Sequence, residues 1–166
     1  ENGIKWKNIY SGVFRDLDEV LIPLGLVEEE GRLPLKRGPK ALQQNGMPFY
    51  HLTNKGLLVA LSLEEVQNRN KILDQIISKT SDAEKENFII IQKLILIAPT
   101  FGYSFFERYI RSFCNGKIPD LLPFTISNLK ESADNSTKIQ IEFLEGFSRL
   151  QKTEREITIN FLKKIE

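Results

Sequence analysis

Cysteine and histidine are nearly absent: Cys114 and His51 are the only two in 166 residues. A single cysteine excludes an intrachain disulfide framework, and one of each excludes a Cys/His cluster of zinc-binding spacing. Such a chain fits a reducing interior such as the cytoplasm, and no signal peptide is visible at its start. Long apolar runs are missing too. The most apolar stretch, Phe88 to Ala98, is interrupted by Gln92 and Lys93 and stopped by Pro99. It reads as a buried helix, not a membrane span. No GxGxxG or Walker loop occurs, and no nucleophile elbow places Ser, His and Asp together. The expectation is a protein that is not an enzyme and carries no metal or cofactor. His51 reads as structural, Glu28-Glu29-Glu30 as a solvated strand end, and Cys114 as a small buried hydrophobe.

A strong charge of either sign is also lacking. The net charge is +1, and hydrophobic content of 41% with 27% charged residues describes a globular chain. Residues 1–60 hold eight Lys or Arg against seven Asp or Glu. Locally, Arg32, Lys36, Arg37 and Lys40 lie close together with no acid among them. Pro34, Gly38 and Pro39 are expected to keep that segment irregular.

What is present begins with an amphipathic helix. Val13, Leu17, Val20, Leu21 and Leu24 recur at spacings of three and four and define one apolar face. Gly25 stands where that helix must turn. Leu26 and Val27 open a strand, and Phe49 to Leu52 form a second by composition. Thr53 can cap a following helix, which Leu57, Leu58, Val59 and Leu61 bury.

These residues, Leu24-Gly25-Leu26-Val27-Glu28 and then Tyr50-His51-Leu52-Thr53-Asn54-Lys55-Gly56, resemble the second half of a winged helix-turn-helix domain. The resemblance covers residues 9–61 approximately: recognition helix, strand, wing, strand, closing helix. Two helices precede the recognition helix in a complete winged helix. They are expected to lie upstream, or another segment completes the core. The resemblance implies double-stranded DNA as partner. It places Lys7, Ser11 and Arg15 on or near the recognition helix and Arg32, Lys36, Arg37 and Lys40 on the wing, where cations reach phosphates or the minor groove. Arg15 is the best placed for a base edge, because a guanidinium pairs in a fork with guanine. Asp16, Asp18 and Glu19 on the same helix oppose phosphate.

After Leu61 the spacing predicts helices alone. Ser62 with Glu65 and Ser81 with Glu84 read as capping boxes, opening helices to about Ser78 and through Ile97. Further helices are expected over 101–113, from Pro119 to about Glu131, over 138–150, and from a Thr153/Glu156 cap to near Ile165. Phe105 and Phe106 are consecutive and cannot both face the same core; packing in a helix buried on two sides is expected, with a second surface such as a subunit interface or a ligand pocket as the alternative. The fold class is therefore mainly α with a small β-hairpin wing: a partial winged helix, 1–61, then an all-helical dimerisation or effector domain, 62–166. The leading functional expectation is a homodimeric DNA-binding transcriptional regulator, joined through helix 101–113 and the last helix. A winged-helix protein-interaction module and a ligand-sensing helical domain are the alternatives; any small-molecule effector is unidentified. No membrane partner is expected.

Overall fold

The computed structural model describes residues 12–34, 36 and 40–165, and shows a mainly helical chain with one two-stranded antiparallel sheet. Residues 12–21 form helix α1, whose second half, Leu17–Leu21, is wound as a π-helix. In it the Ile22 N–H donates to the Leu17 carbonyl at 3.0 Å. The wider turn takes the chain off the 3.6-residue period. Leu17 and Leu21 are half-buried, whereas Val13, Val20 and Leu24 stay exposed. The five-residue stripe read from spacing is therefore not a single buried face.

Gly25 takes a left-handed conformation, φ +67°, that a side chain would disfavour, and the chain enters strand β1, Val27–Leu33. It pairs with β2, Met47–Leu52, from Val27 opposite Leu52 to Leu33 opposite Met47, with a bulge between Glu29 and Gly31. Between the strands, where irregular chain was expected, Lys40–Asn45 make a short helix, α2. Pro39 precedes good helix formers there, Ala41, Gln43 and Gln44.

Helix α3, Asn54–Leu61, starts as the sequence indicates: the Thr53 hydroxyl accepts from the Gly56 N–H at 3.2 Å. Its Leu57, Leu58 and Leu61 enter one core with Leu73 and Ile76 of α4 (Arg69–Lys79), Phe88, Ile91 and Ile95 of α5 (Asp82–Ile97), and Phe106 and Tyr109 of α6 (Pro99–Cys114). Downstream helices thus cover α3.

The Ser62/Glu65 pair does not open a helix. The Ser62 hydroxyl donates back to the Val59 carbonyl at 2.7 Å and closes α3, and α4 begins only after Asn68 in a left-handed conformation. Ser81 does stand at the start of α5, and its hydroxyl donates to Glu84 at 2.8 Å. Pro99 ends α5 and opens α6. Gly102 lets these helices cross closely, since a Cβ there would lie 2.6 Å from the Ile95 nitrogen. Phe106 is fully buried and Phe105 partly buried against the same core. Cys114, the last residue of α6, is exposed, contrary to its expected burial.

The helix expected from Pro119 is confined to α7, Ile126–Ser132. Two prolines break the preceding segment, which instead buries Ile118, Leu121 and Phe124. Phe124 stacks on Phe88 at 4.4 Å between ring centroids. Both backbone groups of Phe124 are held by α5: its N–H donates to Glu84 at 2.6 Å, and its carbonyl accepts from Asn87 at 3.0 Å.

Asp134 caps α8, Asn135–Arg149, by accepting from the Ser136 N–H at 3.0 Å. Helix α9, Lys152–Ile165, begins one residue before the expected cap: the Glu154 carboxylate, not Glu156, accepts from the Gln151 N–H at 2.8 Å. The chain groups into two compact units, one ending at Glu131 and one starting at Ser132. The boundary expected after residue 61 instead lies inside the core that α3 shares with α4–α6. Among the described residues no strand follows Leu52, and no helix is long and apolar enough to cross a membrane.

Candidate nucleic-acid interface

The segment α1–β1–α2–β2–α3 is held at its base by backbone and by Thr53. The Thr53 N–H donates to the Leu26 carbonyl at 3.0 Å, and its hydroxyl donates to the Gly25 carbonyl at 2.6 Å while accepting from Gly56. Helix α3 also approaches so closely that a Cβ on Gly56 would fall on the Leu26 carbonyl oxygen. The two motifs carrying the resemblance, Leu24–Glu28 and Tyr50–Gly56, are thus in direct contact. Lys55 extends the anchoring by pairing with Asp120 at 2.7 Å. That hydrogen bond is the largest influence holding the Asp120 carboxyl below its ordinary pKa, with the Leu121 N–H also donating to it.

Of the sequence-derived contact residues, Lys7, Ser11 and Arg37 lie outside the described residues. Arg15 is exposed on α1, and its guanidinium stands 3.5 Å from the Asp16 carboxylate. Arg32 is exposed on β1 and clamped within its own strand: Nε lies 2.7 Å from Glu29, and a second guanidinium nitrogen donates to the other carboxylate oxygen at 3.1 Å. This hydrogen bonding to Glu29 raises the pKa of a group already charged at every working pH. Arg32 also reaches the Asn45 carbonyl, at 3.5 Å, where α2 ends. Lys36 and Lys40 are exposed on the inter-strand segment, Lys40 as the first residue of α2. The hairpin therefore carries Arg32 on β1 and Lys36 and Lys40 on the connection to β2, and Arg15 stands on α1.

Acids are closer to this region than a count of charges indicates. Glu29 occupies Arg32, and Asp16 occupies Arg15. His51 lies between the two remaining acids of β1, with Nε2 2.9 Å from Glu28 and Nδ1 3.5 Å from Glu30 without a hydrogen bond to it. Neither arginine pairing follows from spacing: adjacent residues on a helix do not face one another, and residues three apart on a strand point to opposite faces unless a bulge, here between Glu29 and Gly31, realigns them.

A cleft of about 390 Å³ at the hairpin base is lined by Glu28, His51, Thr53, Asn54, Lys55 and Lys79, among others. Its one hydroxyl, on Thr53, is committed as both donor and acceptor. Among the described residues no group of His, Cys, Asp and Glu has the arrangement to hold a metal ion. No family model matches the chain, and no curated protein or solved structure matches it.

Proposed function

We propose that the chain is a DNA-binding transcriptional regulator of winged-helix type, working in a reducing compartment such as the cytoplasm and contacting duplex DNA through α1 and the connection between β1 and β2. The observation that carries this reading is a helix, an antiparallel strand pair and a closing helix in that order, with Lys36 and Lys40 exposed on the connection between the strands, where Lys40 opens the short helix α2. In this reading Lys36, Arg37 and Lys40 contact phosphates. Arg32 stiffens the wing through Glu29 and the Asn45 carbonyl. Arg15 exchanges its solvent-exposed Asp16 partner for a base edge, at small cost because a pair so exposed is worth little.

The test is binding of the chain to short duplexes across a salt series. Affinity should fall steeply with salt, and replacing Lys36, Arg37 and Lys40 with alanine should lower the slope by up to about three, near one per phosphate contact. Absence of duplex binding at low salt overturns the proposal.

One observation favours a second reading, a protein-interaction module. Helix α1 exposes Val13, Phe14 and Val20 beside Asp16, Asp18 and Glu19. An apolar face rimmed with acid suits a protein partner better than a phosphate backbone.

A further inference from the structure

Helices α8 and α9 are amphipathic and have no interior between them. Neither α8 nor α9 contains a buried residue. The helices are joined at Leu150 and Gln151, and the corner is pinned: the Arg155 guanidinium donates to the Leu150 carbonyl at 2.8 Å and to the Ser148 carbonyl at 2.6 Å. On α8 the charged residues Lys138, Glu142, Glu145 and Arg149 keep to one edge, at spacings of three and four; on α9 Lys152, Glu156 and Lys163 share an edge, while Glu154 and Arg155 of the first turn and Lys164 of the last lie elsewhere around the helix. The large apolar residues fall on the remaining arc of each, beside Gln140 on α8 and Thr158 on α9. Ile139 is 65% exposed, Ile157 69%, Phe161 60% and Ile165 67%. Isolated helices of this length are marginal in water, and their stability normally comes from packing such a face.

We infer that α8 and α9 are the surface through which two copies of this chain associate, each supplying the apolar helices that the other lacks. Area, charge and shape support a second copy as the occupant. Nine large apolar residues of the two helices are 40–69% exposed, a concentration suited to the roughly 800 Å² that one partner gives a standard interface. Residues 132–166 carry six Lys or Arg and six Asp or Glu, so a copy meets no net repulsion. Gly146 leaves an opening on α8: a Cβ there would meet nothing within 4 Å. It lies in a groove of about 530 Å³ with Ile139, Phe143, Phe147 and Leu150. Protruding side chains such as Phe161 of a second copy fit such a groove, and a two-fold interface uses groove and knob twice. This assignment is independent of DNA binding. It moves the expected interface away from α6, whose Phe106 and Tyr109 are spent in the core.

The experiment is sedimentation velocity on the full chain from about 1 to 200 μM, a range in which a standard-size interface is populated. The parent should sediment as two chains at the upper end. Phe143→Glu with Phe161→Glu should weaken association by more than about 30-fold, as loss of a central anchor does. Gly146→Trp keeps the face apolar but fills the groove, and should also shift the mass toward one chain. Leu96→Glu, at an exposed position on α5, should leave the two-chain mass unchanged. A parent that stays single throughout overturns the inference, as does a two-chain species indifferent to the α8 and α9 variants or abolished by Leu96→Glu alone.

Discussion

Replacing Gly56 with alanine tests the contact at the base of the hairpin. Alanine is the better helix former by about 1 kcal/mol in a helix interior, and by less in a first turn. Propensity alone therefore predicts a small gain. The structure predicts a loss. The new Cβ would fall on the Leu26 carbonyl oxygen, with the Leu26 carbon at 3.0 Å and the Leu52 side chain at 3.1 Å. Backbone cannot swing aside like a side chain, so α3 must back away from β1 or the Leu26 carbonyl must turn. Overpacking of this kind costs about 1–3 kcal/mol. Turning the carbonyl also weakens the bond from Thr53, worth about 0.5–1.5 kcal/mol. After the helix gain, the net is about 1–3 kcal/mol of destabilisation, or about 3–10 °C in Tm for a protein of this size. Gly12→Ala is the control: its Cβ enters open space, so stability should hold or rise by up to about 1 kcal/mol. Thermal unfolding followed by circular dichroism compares the two. A Gly56→Ala variant that melts at or above the parent would refute the argument.

Three further outcomes follow from the core and its anchors. Asp120→Asn removes the Lys55 pair and should cost about 0.2–1 kcal/mol at neutral pH, because both groups are partly exposed. The Asp120 pKa is lowered by folding, so this contribution is present above the ordinary carboxylate value of 3.8 and vanishes as pH falls through the folded value; urea unfolding of parent and variant should converge in acid. Glu84→Ala strands the Phe124 N–H, buried in that loop, and should cost about 1–3 kcal/mol in chemical denaturation. Tyr109→Phe removes bonds to the Leu121 carbonyl and Asn128, at 3.2 Å each, and should cost about 1–2 kcal/mol by the same assay. Burial raises the Tyr109 pKa, so alkali above the ordinary value of 10.0 should destabilise the parent more than this variant.

What could be read from the chain in advance depended on the range of the interactions. Thr53 capping α3, Gly25 turning left-handed and Pro99 dividing two helices are decided by neighbours within four residues, and the spacing reveals them. The Ser-x-x-Glu pattern occurs at Ser62 and at Ser81, yet only Ser81 starts a helix. Ser62 finds the Val59 carbonyl of a helix just ending, which the pattern does not encode. The segment before α7 was misread because its shape is set from 40 residues away by Glu84, and no local periodicity records that. The π-helical turn of α1 likewise defeats a 3.6-residue count. At the candidate interface the cations and the acids of α1 are legible, but the Glu29–Arg32 pair is not, because it depends on the bulge that pairing with β2 imposes on β1.

The grip of α5 on Phe124 has a consequence for the timescale of motion. Amides outside helices and strands ordinarily exchange with solvent in local fluctuations that cost little free energy. The Phe124 amide is outside regular structure, yet its hydrogen points at a carboxylate and its ring is sealed between Phe88 and Tyr109. To exchange, it must leave Glu84 and withdraw the ring, which opens the centre of the core. Its exchange should therefore be as slow as that of the α5 and α6 amides, and should report the opening of the whole core, not of its own loop.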